Sequence, residues 1–370
     1  MTVSEPAAPA FPRGPLHLVI PLRPGADLDL LRAKLEGVLA LHPRDVVWHV
    51  PRERSGIVQL AHDAAAAARL DGGLVVAAGG DGTINAVAAA VLAAGLPMGV
   101  VPMGTFNYFA REQGLALDAE AAVHDLMRAL EAGDMHPVQV GYVNRRLFIV
   151  NASVGLYPKL LAERERASRR FGRSRLVAVA AAVWSMFRPA WGRRWRVVMK
   201  THEDAQVRQE EHRVTTLFVG NNPLQLDRIG LPQAHQVARG SRLAVVMLQP
   251  QGRWAVARTV WNAATGQLDK DSAVISMACS ELTVEPASWR PPRVKVAFDG
   301  EREWMAPPLH FRLAERPLWL VAPGAPLRDA PPRTEPAAAV AAEAAEAPPA
   351  PLIPAPIAPS PAGGGGLLPA

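Results

Sequence analysis

The chain has one cysteine, Cys279, in 370 residues. An intramolecular disulfide is thereby excluded, as is a zinc cluster built on cysteine, and the histidines show no paired metal-ligand spacing such as H-E-x-x-H. The first residues, MTVSEPAAPAFPRGPLHLVIPLRPG, lack the basic stretch followed by an apolar one that marks a secretory signal. A reducing, cytoplasmic location is the expectation. The apolar run from Leu176 to Phe187 falls well short of the ~20 residues that span a bilayer. No internal repeat is visible. Large apolar side chains are almost missing from residues 324–370, which are mostly Pro, Ala and Gly; such a segment cannot offset the entropy of ordering, and a disordered tail is expected there.

The rest of the chain brings the apolar fraction to 49%, enough for one large core or, at this length, two ordinary ones. The net charge of +6 and a pI near 10.0 are compatible with nucleic acid, an anionic membrane or phosphorylated small molecules. Distribution narrows the choice. Two arginine clusters, containing Arg169, Arg170, Arg173 and Arg175 and then Arg193 and Arg194, flank an apolar stretch with Trp184. That pattern suggests peripheral contact with an anionic membrane surface, although a buried helix with solvated ends would read the same way. No recognition motif or aromatic platform accompanies the charge, so nucleic acid is not expected as a partner.

Short β-branched runs (HLVIPL, DVVWHV, GLVVAA, MGVVP) alternate with helix-like stretches at 28–41, 57–70, 83–94 and 119–132. Alternation of this kind predicts an α/β domain with a parallel sheet over residues 15–139. Beyond about Val140 the texture becomes strand after strand: RLFIVNASVGL, WRVVMK, RVTTLFVGNN, RLAVVMLQP, ELTVEP, RVKVAF and LHFRL. A β-rich domain over 140–315 is expected, with the segment 316–323, which contains LWLVAP, returning to the first sheet.

Two strand-to-helix junctions carry the chemistry. LVVAA runs through Gly79, Gly80, Asp81 and Gly82 into a helix that Gly95 and Pro97 terminate; MGVVP runs through Met103, Gly104 and Thr105 into FNYFAREQG. Helices starting at the carboxyl edge of neighbouring parallel strands lie where open α/β sheets bind ligands. Their free N–H groups and positive dipole ends suit phosphate, and Thr83, Thr105 and Asn107 add hydrogen-bonding side chains. A Walker loop is excluded because no lysine follows the glycines, and Asn85 stands where a dinucleotide fingerprint needs glycine. A plain βα turn would use the same glycines for conformation alone, but it leaves Asp81 unexplained. A carboxylate beside polyphosphate is tolerable only with a cation between them or a proton in transfer, so Asp81 points to a Mg²⁺-nucleotide or to acid/base work.

GGDGTIN followed by PMGTFNYFAR resembles the diacylglycerol kinase catalytic domain of bacterial lipid kinases and sphingosine kinases, and more distantly NAD kinases; VKVAFDGEREW, ahead of PLWLVAP, is similar to that family's Asp-Gly-Glu element. The resemblance implies an α/β ATP-binding domain and a β-sandwich lipid domain with the site between them. It places ATP, with Mg²⁺, on Gly79, Gly80, Asp81, Gly82, Thr83, Ile84, Asn85, Gly104, Thr105 and Asn107. It also implies a membrane lipid, diacylglycerol-like, as phosphoryl acceptor, with Asp299 or Glu301 acting on its hydroxyl and Asp81 the third catalytic candidate. Read from the residues alone, AFDGER is a two-residue hairpin turn of type I′.

Three departures from the family pattern stand out: Tyr108 follows Asn107 where an aspartate is usual, Arg239-Gly240 replaces the Asp-Gly that helps hold a structural Mg²⁺, and the first strand lacks Asn-Pro. A nucleotide- or lipid-binding regulator and a kinase for a soluble acceptor are the rival readings.

Overall fold

The structure is a computed structural model. It describes residues 8–21, 28–40, 44–50, 56–104, 106–155, 193–200, 207–228, 230–238, 242–249, 271–287 and 292–324, and three single positions between 258 and 267. Thr105, the 169–175 arginines, Trp184, Arg239-Gly240 and the tail beyond 324 lie outside these residues, as does the side chain of Arg193.

The first half alternates as the sequence implies: β1 (Leu16–Val19), α1 (Leu28–Leu39), β2 (Val46–His49), α2 (Ile57–Asp71), β3 (Leu74–Gly79), α3 (Asp81–Ala94), β4 (Met98–Pro102), α4 (Tyr108–Glu112), α5 (Ala119–Ala132) and β5 (Met135–Val138). The strands stand in the order β2-β1-β3-β4, all parallel; β18 (Leu318–Val321), near the chain's far end, extends the sheet beside β4 in parallel and β5 closes it antiparallel. Both faces are covered, which is why β3 and β4 are apolar at every position. On one face α2 and α3 pack Ala64, Ala68, Ile84, Val87 and Val91 onto Val75 and Ala77. On the other, Leu35 of α1 and Val123 and Leu126 of α5 meet Leu18, Val76 and Ala78. Each fully buried Ile, Leu or Val contributes about 1.5–3 kcal/mol.

Helix ends follow local chemistry. The Asp118 carboxylate accepts the Ala121 N–H at 2.9 Å to cap α5. α3 stops at Gly95, whose φ of 69° is left-handed, and Pro97 prevents continuation.

The second half comprises β6 (Gly141–Val143), β7 (Arg146–Phe148), β8 (Asn151–Gly155), β9 (Arg193–Lys200), β10 (Val207–Val214), β11 (Thr216–Gly220), the short helices α6 (Pro223–Arg228) and α7 (Gln233–Ala238), β12 (Leu243–Leu248), β13 (Val274–Cys279), β14 (Glu281–Pro286), β15 (Val294–Phe298), β16 (Glu301–Met305) and β17 (Leu309–Leu313). They form two six-stranded antiparallel sheets, β10-β9-β14-β17-β6-β7 and β13-β12-β11-β8-β15-β16. One core fills the space between them: Phe148, Val197, Leu282 and Phe311 from the first sheet meet Val154, Val219, Val245 and Val296 from the second. Strand alternation produces this, since on β15 Val294, Val296 and Phe298 all point into that core.

Candidate active site

The two glycine junctions touch. Met103 N–H donates to the Gly79 carbonyl at 2.8 Å, and a Cβ placed on Gly104 would lie 2.7 Å from Gly80 Cα, so only glycine permits this approach. Gly79 is confined from the other side, where a Cβ would collide with the Thr83 side chain. Gly82 differs, because a Cβ there would meet nothing within 4 Å. The mouth of α3 is therefore open at Gly82, and Thr83 and Ile84 bend their N–H groups back to the Gly80 carbonyl at 2.9 and 3.0 Å.

α3 starts two residues earlier than the expected 83, so Asp81 is its first residue, with Gly80 as the cap. The Asp81 carboxylate does not project alone into the mouth. Its oxygens accept the backbone N–H groups of Tyr108 and Phe109, each at 3.2 Å, at the start of α4. An acid of the first junction thus occupies the anion position of the second, where a five-residue helix would otherwise leave those donors unpaired. Burial raises the Asp81 pKa above the usual carboxylate range, with the Phe109 and Tyr108 N–H groups pulling it down. The residue is still partly exposed, and two long hydrogen bonds leave acceptor capacity on both oxygens.

Asn107 closes its own loop. Its Oδ1 accepts the Gly104 N–H at 2.9 Å and its Nδ2 donates to the Gly104 carbonyl at 3.0 Å, from a left-handed backbone with φ 48°. The side chain is buried and shapes the junction from within.

Asn85, one turn after Asp81, faces the second domain. Its Nδ2 donates to the Leu147 carbonyl at 3.1 Å and to Asp299 Oδ2 at 2.7 Å, so both amide hydrogens are committed away from the mouth. Asp299 and Gly300 are the two turn residues between β15 and β16, at φ 44° and 86°, the conformation of a type I′ turn. The Asp299 carboxylate is saturated. Oδ2 also accepts the Ile149 N–H at 2.7 Å, and Oδ1 accepts the N–H groups of Val150 and Asn151, each at 2.9 Å. Burial raises its pKa to about 6 while the four donors oppose the shift, so it is ionised at neutral pH.

Asp299 therefore joins the hairpin tip, the β7–β8 link and α3, and it has no lone pair left for a substrate hydroxyl. The same link packs Leu147, Ile149 and Val150 into the first domain's core. Glu301 opens β16 just past the tip and is exposed. Partial desolvation raises its pKa, with Arg146 acting against the shift and Glu303 with it.

Two residues escaped the sequence reading. Asn221 bonds Gln139 and the Ile149 carbonyl, and Asn222 Nδ2 donates to the Tyr108 carbonyl at 3.3 Å. Consecutive asparagines at the end of an apolar strand were the available signal: polar groups buried there need partners.

A resident Mg²⁺ does not fit this arrangement. Among the described residues no three His, Cys, Asp or Glu side chains converge, so Asp81 has no partner ligands with which to hold a cation of its own.

Residues 29–143 match the diacylglycerol kinase catalytic domain, so the resemblance read from the glycine loops is shown for that segment. A diacylglycerol kinase of Bacillus subtilis (strain 168) is 38% identical over 104 residues, 27% of this chain and 32% of that protein. A probable lipid kinase YegS-like of Klebsiella pneumoniae (strain 342) is 37% identical over 83 residues, 22% of this chain and 27% of its own length. The chain thus spans about a third or less of these curated relatives. Among solved structures, that of a diacylglycerol kinase from Bacillus anthracis str. Sterne superposes with a TM-score of 0.58 and 16% identity, over 84% of this chain and 96% of the other, which is a likeness of fold.

Proposed function

We propose that this chain, whose residues 29–143 carry the match to the diacylglycerol kinase catalytic domain, is a lipid kinase that transfers the γ-phosphoryl group of ATP to the hydroxyl of a membrane lipid, diacylglycerol-like in character. The observation that carries the reading is the open mouth at Gly82, set between two glycine junctions in contact and faced by a hairpin latched onto the same helix. Phosphates seat on the α3 N-terminus around Gly80 and Gly82, ahead of the Thr83 N–H that already bonds the Gly80 carbonyl, where the helix dipole favours negative charge. Gly79, Gly104 and Asn107 shape that seat from behind. Ile84 is fully buried and anchors α3 to the sheet. Any Mg²⁺ belongs to the nucleotide as it arrives.

Phosphoryl transfer needs positioning and charge stabilisation more than covalent help from the protein. Asp81 is the carboxylate suited to receive the acceptor's proton: it is partly exposed, ionisable, raised in pKa and not saturated by donors. Glu301, exposed just beyond the latched tip, is the second-domain group available to orient the acceptor. Asp299 holds the two domains in register and takes no proton.

Incubation of the protein with labelled ATP, Mg²⁺ and either total bacterial lipid or NAD tests the reading. Label in a lipid product supports it. Label in NAD alone would move the acceptor to a soluble molecule, and ATP binding without any labelled product would make the protein a regulator.

A further inference from the structure

We propose that the groove at the edge of the second domain, bounded by the β6–β7 turn and the β15–β16 hairpin, is a docking surface for an anionic lipid bilayer. The choice of lipid as partner rests on the lipid-kinase reading; the surface itself is independent of the nucleotide site. The groove measures about 1010 Å³ and is walled by Arg145 and Arg146 on the β6–β7 turn, by β14 and β17, and by Arg293 and Trp304 at the hairpin.

Its charge is unevenly satisfied. Of the two glutamates that line it, Glu303 accepts from Arg146 Nε at 2.6 Å and Glu281 pairs with Lys200 Nζ at 3.1 Å. Arg312 lays its guanidinium over the Tyr142 ring, 4.9 Å from the centroid. Arg145 and Arg293 are exposed and engage no partner among the described residues. Two guanidinium groups with all their donors unused, at the rim of a groove whose acids are already neutralised, form a receptor for phosphate oxygens.

Trp304 identifies which kind of phosphate. It is 58% exposed, the only aromatic among the exposed large hydrophobic residues described, and it lies on the edge strand β16 with Lys295 Nζ 6.0 Å from its ring. An indole left in water beside cations matches the headgroup layer of a bilayer, where the ring meets acyl chain and the charges meet phosphate. A single-stranded nucleic acid would instead call for several aromatic faces in succession; here Phe311 is buried and the His310 ring is tied to Thr283, which leaves Trp304. Trp304 follows Glu301 by three residues of extended strand, roughly 10 Å along the chain, with its side chain on the opposite face of β16.

The test uses the full chain carrying Ala306→Cys, labelled with a polarity-sensitive dye. Ala306 is exposed and lines the groove, whereas the native Cys279 is buried and resists labelling. Without nucleotide, vesicles of phosphatidylcholine with phosphatidylglycerol should shift the dye's emission to the blue and co-sediment the protein; vesicles of phosphatidylcholine alone should do neither. Adding Arg145→Ala with Arg293→Ala should weaken binding to the anionic vesicles by about thirtyfold, the loss expected for two cationic groups at such a surface. Circular dichroism and ATP calorimetry on the same variant report whether it is folded. Equal vesicle affinity in a folded variant, or a dye shift produced by RNA and by no vesicle, would overturn the proposal. Since the vesicle arms contain no nucleotide, that failure leaves the kinase reading standing, and absence of ATP binding in the folded protein with intact vesicle binding would sink the kinase reading alone.

Discussion

Asn85, one turn after Asp81 on α3, bonds Asp299, yet the protein treats the two aspartates in opposite ways. Asp81 belongs to a rigid strand-to-helix junction of the first domain and keeps contact with solvent, with two backbone donors at 3.2 Å. Asp299 belongs to a hairpin tip of the second domain, is likewise partly exposed, and accepts from four donors at 2.7–2.9 Å. A carboxylate with spare lone pairs can exchange a proton with a ligand; one with every lone pair filled is a joint. Equal residue type and comparable motif position therefore do not confer equal roles, and the donors around each side chain decide between them.

The comparison breaks most sharply at Asp81. Asp81→Asn should lower turnover of labelled ATP into lipid by at least a hundredfold, the usual reach of a lost acid/base group, with an unchanged circular dichroism spectrum. In the wild type the acid limb of turnover should lie above the ordinary carboxylate range, because burial raises this pKa and the base works only when deprotonated. Near-normal turnover by the variant would hand the proton to another group.

At Asp299 the larger effect should fall on stability. Asp299→Asn puts an NH2 where a carboxylate oxygen stood and leaves at least one backbone N–H without an acceptor, so urea unfolding should show a loss of about 3 kcal/mol. Full stability with a hundredfold loss of turnover would restore Asp299 to the catalytic group. The pH dependence has a definite sign. A native pKa of about 6 against an ordinary 3.8 means that the native state binds more protons in that window, so this group's contribution is complete below about 4 and lost as pH rises through about 6. The gap in unfolding free energy between wild type and variant should accordingly widen as pH falls from 6 to 4.

Asn85→Ala cuts the latch from the other side and leaves the Leu147 carbonyl without that donor. About 1–2 kcal/mol should be lost, again with little effect on the affinity for ATP, since the amide faces away from the mouth. A large loss of ATP affinity would make Asn85 a ligand for the nucleotide after all. The smallest signal is a reporter. Burial pushes the Cys279 thiol up to about 12, so it should resist alkylation at neutral pH in the wild type and in Asp81→Asn, and react measurably faster in Asp299→Asn if the latch steadies the second domain.

Much of the fold could be read directly, and most of the exceptions share a cause. The helices expected at 57–70 and 119–132 are α2 and α5 to within a residue, because alanine-rich amphipathic periods and terminal glycines are local signals. Of the strands passed over, β5, β10 and β13 lie at sheet edges, whereas β6, only three residues long, lies inside its sheet between β17 and β7. Edge strands are half wet and carry residues such as those of VRQEEHRV and EREWM, which lack the apolar alternation of an interior strand. At the site, the glycine junctions and the hairpin tip were legible as motifs. The direction of Asn85 and the partners of both aspartates were not.

By itself the sequence determined the alternation of strands and helices in the first domain, the two glycine junctions at neighbouring strand ends, and the turn that lifts Asp299. Those are properties of spacing, side-chain volume and permitted φ, all settled within a few residues. Only the tertiary structure decided that Asp81 caps α4, 27 residues on, and that Asp299 fastens a helix 214 residues away. A hydrogen bond depends on where two groups meet in space, and for partners so far apart the packing of the sheets sets that place.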